Sequence, residues 1–255
     1  MKLQALQTLF IGQQFIELDE VDSTNNYASA LINELKPTEG TVVLSYNQKS
    51  GKGQRDAYWE SKPNSNLTFS IIFYPHFLEP KNQFLLNQVV SLGVCDYAKF
   101  VLENEIKIKW PNDIYHKDKK LAGILIENSI RSNQIISSVI GIGLNINQTI
   151  FVTDPPNPIS FKMITNKNYD LGKCLSELCG FLESRYLQLK AGKLDLLKKD
   201  YLNSLYRYNE FKSYLHNHKK FKAKIISVAE GGKLVLEKEN GETANFDFKE
   251  ISFVI

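Results

Sequence analysis

K-W-P-N-D-I-Y-H-K-D-K-K-L-A-G-I-L-I-E, residues 109–127, is the stretch whose reading decides the fold. The alternating run EIKIK (105–109) enters it as a strand, and Pro111 stops that strand, because proline has no N–H to give a ladder and restricts the residue before it. Asn112 and Asp113 therefore sit at a strand end, where side chains can face a cleft; an Asx turn is the alternative reading of Pro-Asn-Asp. HKDKK (116–120) reads as a polar hairpin between two further strands, the second being the apolar LAGILIE.

Working outward, FIELDEV (15–21) alternates like a strand, and Ser23 or Thr24 can cap a helix reaching about Leu35, with Tyr27, Ala30, Leu31 and Leu35 on one face. TVVLSY (41–46) and LTFSIIFY (67–74) are strands. Leu85, Val89, Leu92 and Cys95 repeat at helical spacing between Lys81 and Glu103. IISSVIGIGLNIN (135–147) is a strand whose Gly141 and Gly143 admit close approach of a ligand or a second backbone. After the proline-rich FVTDPPNPIS come two amphipathic helices, the clearer one carrying Leu171, Leu175, Leu178, Leu182, Tyr186 and Leu189. Beyond about His216 the texture changes to four short strands joined in part by Glu-Gly-Gly and by Asn240-Gly241, a type I′ hairpin signal, which predicts a small β-barrel.

Composition narrows the classes. With 255 residues, 43% of them hydrophobic and 23% charged, the chain can bury a real core. The net charge of +3 is spread along the sequence, whereas nucleic-acid binders concentrate theirs. Cys95, Cys174 and Cys179 show no C-x-x-C spacing, which predicts reduced, packed thiols. The N-terminus lacks a signal peptide, and no run looks long enough to span a bilayer, so a cytoplasmic protein is expected.

The loop S-G-K-G-Q-R-D-A-Y-W-E-S (50–61) is harder to explain as a plain turn. Its glycines let N–H groups converge on an anion, and Lys49, Lys52 and Arg55 add charge-assisted donors, although the spacing is not the Walker arrangement. An exposed Trp59 loses hydrophobic stabilisation unless it covers something flat. Lys120 reads either as a solvated hairpin charge or as a cation drawn inward by the strand after it. Ser23, Thr24 and Asn25 read as an N-cap cluster or as donors and acceptors for an amide-like ligand.

Together D-S-T-N (22–25), the glycine-rich run from Gln48 to Ser61, K-W-P-N-D (109–113), K-L-A-G-I-L-I-E (120–127) and G-I-G-L-N-I-N (141–147) resemble, in order and spacing, the biotin protein ligases that act on acetyl-CoA carboxylase. The resemblance is densest over 22–147 and extends to the C-terminus. It implies an α+β catalytic domain at 1–215, with a mixed β-sheet and packed helices in the class II synthetase-like biotin/lipoate ligase fold. An SH3-like β-barrel would occupy 216–255. The implied reaction joins biotin and ATP into biotinyl-5′-AMP, then passes biotin to one lysine of a carrier protein.

Carried over position by position, the resemblance gives Lys120 and Lys52 catalytic roles. It implies that Ser23, Thr24, Asn25, Gln48, Lys52 and Gly123 hold biotin, that Gln54, Arg55, Trp59, Asn112 and Asn145 contact ATP, and that Asp113 faces Mg²⁺. ATP and Mg²⁺ act as co-substrate and ion, with no tightly bound prosthetic group. The implied partner is the biotin carboxyl carrier protein of acetyl-CoA carboxylase, without DNA or membrane, and the protein itself is a monomer or homodimer. Too few residues precede FIELDEV for the helix-turn-helix module of bifunctional relatives, so the monofunctional type is expected. Lys52 and Asp56 depart from the arginine and glycine usual there. The rival readings are a lipoate or octanoate ligase or transferase, a non-catalytic sensor of biotin or adenylate, and an RNA-binding barrel suggested by Lys219, Lys220 and Lys222.

Overall fold

Strand β2 (Val42–Ser45) is buried along its whole length, and so is β3 (Leu67–Phe73). Val42 and Leu44 enter the larger apolar core, whereas Val43 enters a smaller one on the opposite face, and Ile71 and Ile72 divide in the same way. A strand covered on both sides has no polar face, which is why these runs read as unbroken apolar stretches. The computed structural model describes residues 8–53, 58–152 and 157–255.

Seven strands form the main sheet: β1 (Phe15–Leu18), β2, β3, β4 (Ile106–Lys109), β5 (Asp113–His116), β6 (Lys119–Arg131) and β7 (Gln134–Leu144), in the order β1-β2-β3-β7-β6-β5-β4. Only β1 and β2 are parallel, joined across α1 (Thr24–Leu35); the other pairs are antiparallel. The sheet is thus mixed, as expected.

Helix α1 covers one face, where Ala28 and Leu31 meet Val43, Ile72 and Val139. Its buried side is Thr24, Asn25, Ala28 and Leu31, so the expected stripe is corrected: Ala30 is exposed and Leu35 is 72% exposed. The cap is corrected too, because Ser23 precedes α1 without a side-chain capping bond. The opposite face carries α2 (Phe84–Leu102), a short α3 (Phe161–Thr165), α4 (Leu171–Lys190) and α5 (Leu194–Ser204). Arg185 of α4 ties this layer together, donating to Asp96 of α2 at 2.7 Å and to Asp200 of α5 at 2.6 Å. The stretch Pro80–Leu102 is long and apolar enough to span a bilayer, contrary to the sequence reading, but it serves as the core helix, with 72% of its most apolar window buried. All three cysteines are buried and free, and burial raises the thiols of Cys95 and Cys174 to about 11 and that of Cys179 to about 12.

The second sheet has five strands: β8 (Lys212–His216), β9 (Lys219–Val228), β10 (Leu234–Lys238), β11 (Thr243–Phe246) and β12 (Ser252–Phe253), ordered β11-β10-β9-β8-β12. The sequence reading missed β8, whose KSYLH is too polar to announce a strand, so a boundary after residue 215 cuts this strand near its end. Flat neighbouring strands lie about 4.8 Å apart, which would put β8 and β11 roughly 14 Å apart. The rings of His216 on β8 and Phe246 on β11 are nevertheless 5.1 Å apart, so the sheet rolls up into a small barrel-like layer. It is not closed, since β11 and β12 are not paired with each other.

At Asn240-Gly241 the hairpin forms but the expected turn is corrected. Gly241 alone has a positive φ, 84°, and its N–H donates to Lys238 O at 2.9 Å, which gives a three-residue loop ending in left-handed glycine. A type I′ turn needs positive φ at both central residues, and that pattern occurs instead at Ser132-Asn133 and Asn217-His218. Lys222 and Lys224 pair with Glu239 and Glu237 across β9 and β10, at 3.7 and 2.9 Å, which favours a solvated strand over a nucleic-acid surface.

Candidate active site

A parallel bridge between Val21 and Gln48, reinforced by Lys49 N–H to Val21 O and Ser50 N–H to Asp22 O, lays the start of the glycine-rich loop beside the start of α1. Gln48 Oε1 accepts from Thr24 N–H at 2.8 Å and from its hydroxyl at 3.1 Å. Ser70 Oγ lies 2.8 Å from Thr24 Oγ1 and 2.7 Å from Asn25 Oδ1, with one proton to share between them, and Asn25 Nδ2 donates to Glu127 Oε2 at 2.6 Å. Gly141 makes room for this cluster, since a Cβ there would lie 2.3 Å from Asn25 Oδ1. Such a linked, buried network holds its groups in fixed orientations.

These residues form one end of a cavity of about 530 Å³ that opens between the two sheets. Its floor runs across three strands, because Asp113 pairs with Gly123 and Gly123 pairs with Gly143. Trp59 lies on that floor. A Cβ at Gly143 would sit 2.3 Å from the indole, and one at Gly123 3.1 Å from it. Of the two ways for the ring to avoid solvent, packing is the one seen: Trp59 is half-buried, its backbone N–H donates to Gly51 O at 2.8 Å, and its Nε1 is buried without a partner.

Lys120 Nζ stands 2.7 Å from Asp113 Oδ1 and 5.7 Å from the centroid of the Trp59 ring. Lys120 and Gly123 are three positions apart, which in a regular strand would put them on opposite faces. A register shift at Ile114/Tyr115 places both on the cavity side. Lys52 also lines the cavity but is exposed and donates to Asn26 Oδ1 at 2.6 Å. Asn112 lines it with its amide nitrogen already committed to Ile124 O.

Asn145 is not brought to the cavity. Its Nδ2 donates to Ile159 O at 3.1 Å and its N–H to Leu121 O, so it braces the loop behind the floor. Gln54, Arg55 and Asp56 lie outside the described residues. Sequence reasoning missed Lys109, Trp110 and a wall from the second sheet that includes Phe248, Lys249 and Phe253. Lys109 was legible in principle, since alternation in IKIK buries Ile106 and Ile108 and aims the lysines the other way. Its Nζ lies 5.1 Å from the Tyr115 ring centroid and 5.2 Å from that of Phe253. Burial lowers its pKa below the usual lysine range, with Asp113 opposing that shift. The wall from the second sheet carries no local signal, because it is made by packing between segments far apart in sequence.

The glycine floor gives a direct test. Gly143→Ala should lift Trp59 away and shift tryptophan emission to the red, and the shift should vanish when Trp59 is also replaced by phenylalanine. Unchanged emission would mean that the ring does not rest on Gly143.

Comparisons with known proteins bear on this geometry. The model of the biotin/lipoate A/B protein ligase family matches residues 18–145. The chain is 34% identical over 143 residues to the bifunctional ligase/repressor BirA of Bacillus spizizenii, a match covering 56% of this chain and 43% of that protein. It is 33% identical over 150 residues to biotin–protein ligase 2 of Arabidopsis thaliana, covering 56% and 44%. The match thus spans less than half the length of either relative. Among solved structures, the biotin protein ligase from Aquifex aeolicus in complex with biotin and ATP aligns with a TM-score of 0.79 at 25% identity, over 95% of this chain and 99% of that one.

Proposed function

This chain belongs to the biotin/lipoate A/B protein ligase family, and we propose that it is an ATP-dependent biotin protein ligase, which activates biotin as biotinyl-5′-AMP and transfers it to a lysine of a biotin carboxyl carrier protein. The observation that carries this reading is a single cavity with two unlike ends. Ser23, Thr24, Asn25 and Gln48 present fixed donors and acceptors at one end, and Lys120 with Asp113, beside Trp59, stands at the other. The solved relative from Aquifex aeolicus is described with biotin and ATP, the two ligands that such a cavity suits.

The polar end favours biotin over lipoate or octanoate. A ureido group offers two N–H donors and a carbonyl acceptor, which the Ser23–Gln48 cluster can match, whereas a dithiolane or an alkyl tail has no donor or acceptor to offer that cluster. The cationic end answers the main barrier of adenylation, the approach of a carboxylate to a polyphosphate. Lys120 is a positive charge held in a partly dry site, where it acts more strongly than in water, and Lys109 stands on the same lining. Trp59 and the Phe253 wall reduce water access to a hydrolysable mixed anhydride.

A magnesium ion suits this site as a companion of the nucleotide. Asp113 is the one carboxylate among the lining residues, and no group of three His, Cys, Asp or Glu able to hold a metal occurs among the described residues. Mg²⁺ bound through one carboxylate takes its other oxygens from phosphate and water and neutralises charge there. Asp113 is the residue that would face it, with Lys120 as the competing cation.

The decisive experiment mixes the protein with ATP, Mg²⁺, biotin and a purified carrier domain and probes the carrier with avidin. Labelling that requires both ATP and biotin is expected. Pyrophosphate exchange supported by lipoate or octanoate but not by biotin would overturn the reading, and binding of biotin without carrier labelling would point to a sensor.

A further inference from the structure

Just past the end of β7, Gln148 is 2% exposed, and its side-chain amide is fully engaged. Its Oε1 accepts from Lys62 N–H at 2.9 Å and from Asn66 Nδ2 at 2.6 Å, and its Nε2 donates to Glu60 Oε1 at 3.0 Å and to Ile150 O at 2.9 Å. A carboxylate can only accept, so the amide has one possible orientation, with its nitrogen toward Glu60. Glu60 also accepts the Val152 N–H, at 2.9 Å on one oxygen and 3.1 Å on the other, and Asn66 Oδ1 accepts the Ile146 N–H at 2.9 Å. The limb of the glycine-rich loop that leaves Trp59 is thus stitched to the chain that leaves β7, and a linked, buried network of this kind holds its members in one arrangement.

We propose that Glu60 and Gln148 are positioning residues, which hold Trp59 on its glycine seat and thereby set how tightly the catalytic cavity keeps a nucleotide. The identity of what is kept rests on the ligase reading; the seating of the ring does not. Neither residue lines the cavity, so both act through their neighbour. Glu60 follows Trp59 directly, and the indole rests against Gly143 of β7, the strand whose continuation carries Gln148. Ring and seat are therefore joined twice, by contact at Gly143 and by the hydrogen bond from Gln148 to Glu60.

The ring needs such help because it has no grip of its own. Its Nε1 is buried without a partner, and the glycines beneath it offer a flat surface with no side chain to interlock. Its place must come from the backbone on either side. On one side the Trp59 N–H donates to Gly51 O, but that limb is fixed to the start of α1, through Ser50 N–H to Asp22 O, and not to β7. The Glu60 side supplies the tie to the floor itself. The same tie governs the Lys120 ammonium, which stands 5.7 Å from the indole centroid.

The test compares Glu60→Ala, Gln148→Glu and the exchanged pair Glu60→Gln/Gln148→Glu in the whole protein. Gln148→Glu sets two carboxylates against each other where a donor met an acceptor; the exchanged pair restores one donor and one acceptor with their positions reversed, and its new carboxylate still accepts from Lys62 and Asn66. The first readout is tryptophan emission without ligands, with the Trp59 part isolated by subtracting each protein's Trp59→Phe counterpart. A red shift is expected in both single variants and wild-type emission in the exchanged pair. The second is biotin-dependent ATP–pyrophosphate exchange, in which the single variants should raise the KM for ATP ~10-fold, the effect of losing a hydrogen bond to a charged group. Their kcat should stay within about twofold of wild type, because no group that touches the reacting atoms has changed. Glu60 is half-buried, so Glu60→Ala decides alone should the buried substitution fail to fold. Wild-type emission in Glu60→Ala, an exchanged pair as red-shifted as Gln148→Glu, or a fall in kcat at unchanged KM would each overturn the proposal. Emission as expected with no exchange in the wild-type protein would instead sink the ligase reading and leave the seating of Trp59 standing.

Discussion

Lys120→Ala lowers the rate of biotin-dependent ATP–pyrophosphate exchange by a factor on the order of 10²–10³, the usual loss when a fixed electrostatic stabiliser is removed from an acyl-transfer site. The ammonium is held in place by Asp113 at 2.7 Å and by the indole face of Trp59 at 5.7 Å, so it is oriented before any substrate arrives. Alanine removes the charge opposite the two approaching anions and leaves Asp113 as an uncompensated negative charge that adds to their repulsion. Stability should barely change. Both side chains of the pair are 22% exposed, and pairs that still touch water contribute about 1 kcal/mol or less. Exchange at the wild-type rate in a folded Lys120→Ala protein would remove Lys120 from the chemistry.

Glu183→Ala has the opposite signature, a large loss of stability from a residue that does not line the catalytic cavity. Glu183 is 5% exposed, and its two oxygens accept N–H groups from Leu9, Phe10 and Ile11 at 2.7, 2.8 and 2.9 Å. These bonds dock the first described residues onto α4, where Phe10 packs near the rings of Phe73 and Tyr186 and Ile11 is fully buried. An unpaired buried donor costs about 1–3 kcal/mol. The Leu9 N–H can find water, since that residue is 79% exposed, so the two remaining donors make the expected loss about 2–6 kcal/mol. For a chain of this size that lowers Tm by on the order of 10 °C in thermal unfolding. A loss below about 1 kcal/mol would show that the strand entry is held by its apolar contacts alone.

How much of this was legible depends on the range over which each signal acts. Strands such as EIKIK, the core helix from Leu85 to Cys95, and the glycines at 141 and 143 declare themselves within a few residues, because pleat and helix periods are local. The neighbourhood of Ser23, Thr24, Asn25 and Gln48 was legible only through the order of the motifs; the bridge that unites them is a pairing between distant segments. Lys120 and Gly123 share a face because of a register shift that leaves no mark in the residues themselves. Asn145 was ambiguous because an asparagine in a glycine-rich strand end can serve a ligand or brace a loop; its Nδ2 bonds the carbonyl of Ile159, while its Oδ1 is buried without a partner. Strand β8 was missed because its residues are largely polar, and its burial rests on Tyr214, which packs edge-on against Phe253.

The wall supplied by Phe248, Lys249, Ile251, Ser252 and Phe253 has a consequence for synthesis. Ser23 and Phe253 border the same hollow although 230 positions separate them. A nascent polypeptide that has released only the seven-stranded sheet carries a half-open trough, and its far wall arrives only with the residues through Phe253. Ligand capture by this protein is therefore a property of the chain read through Phe253, and ribosome-stalled forms should lack it.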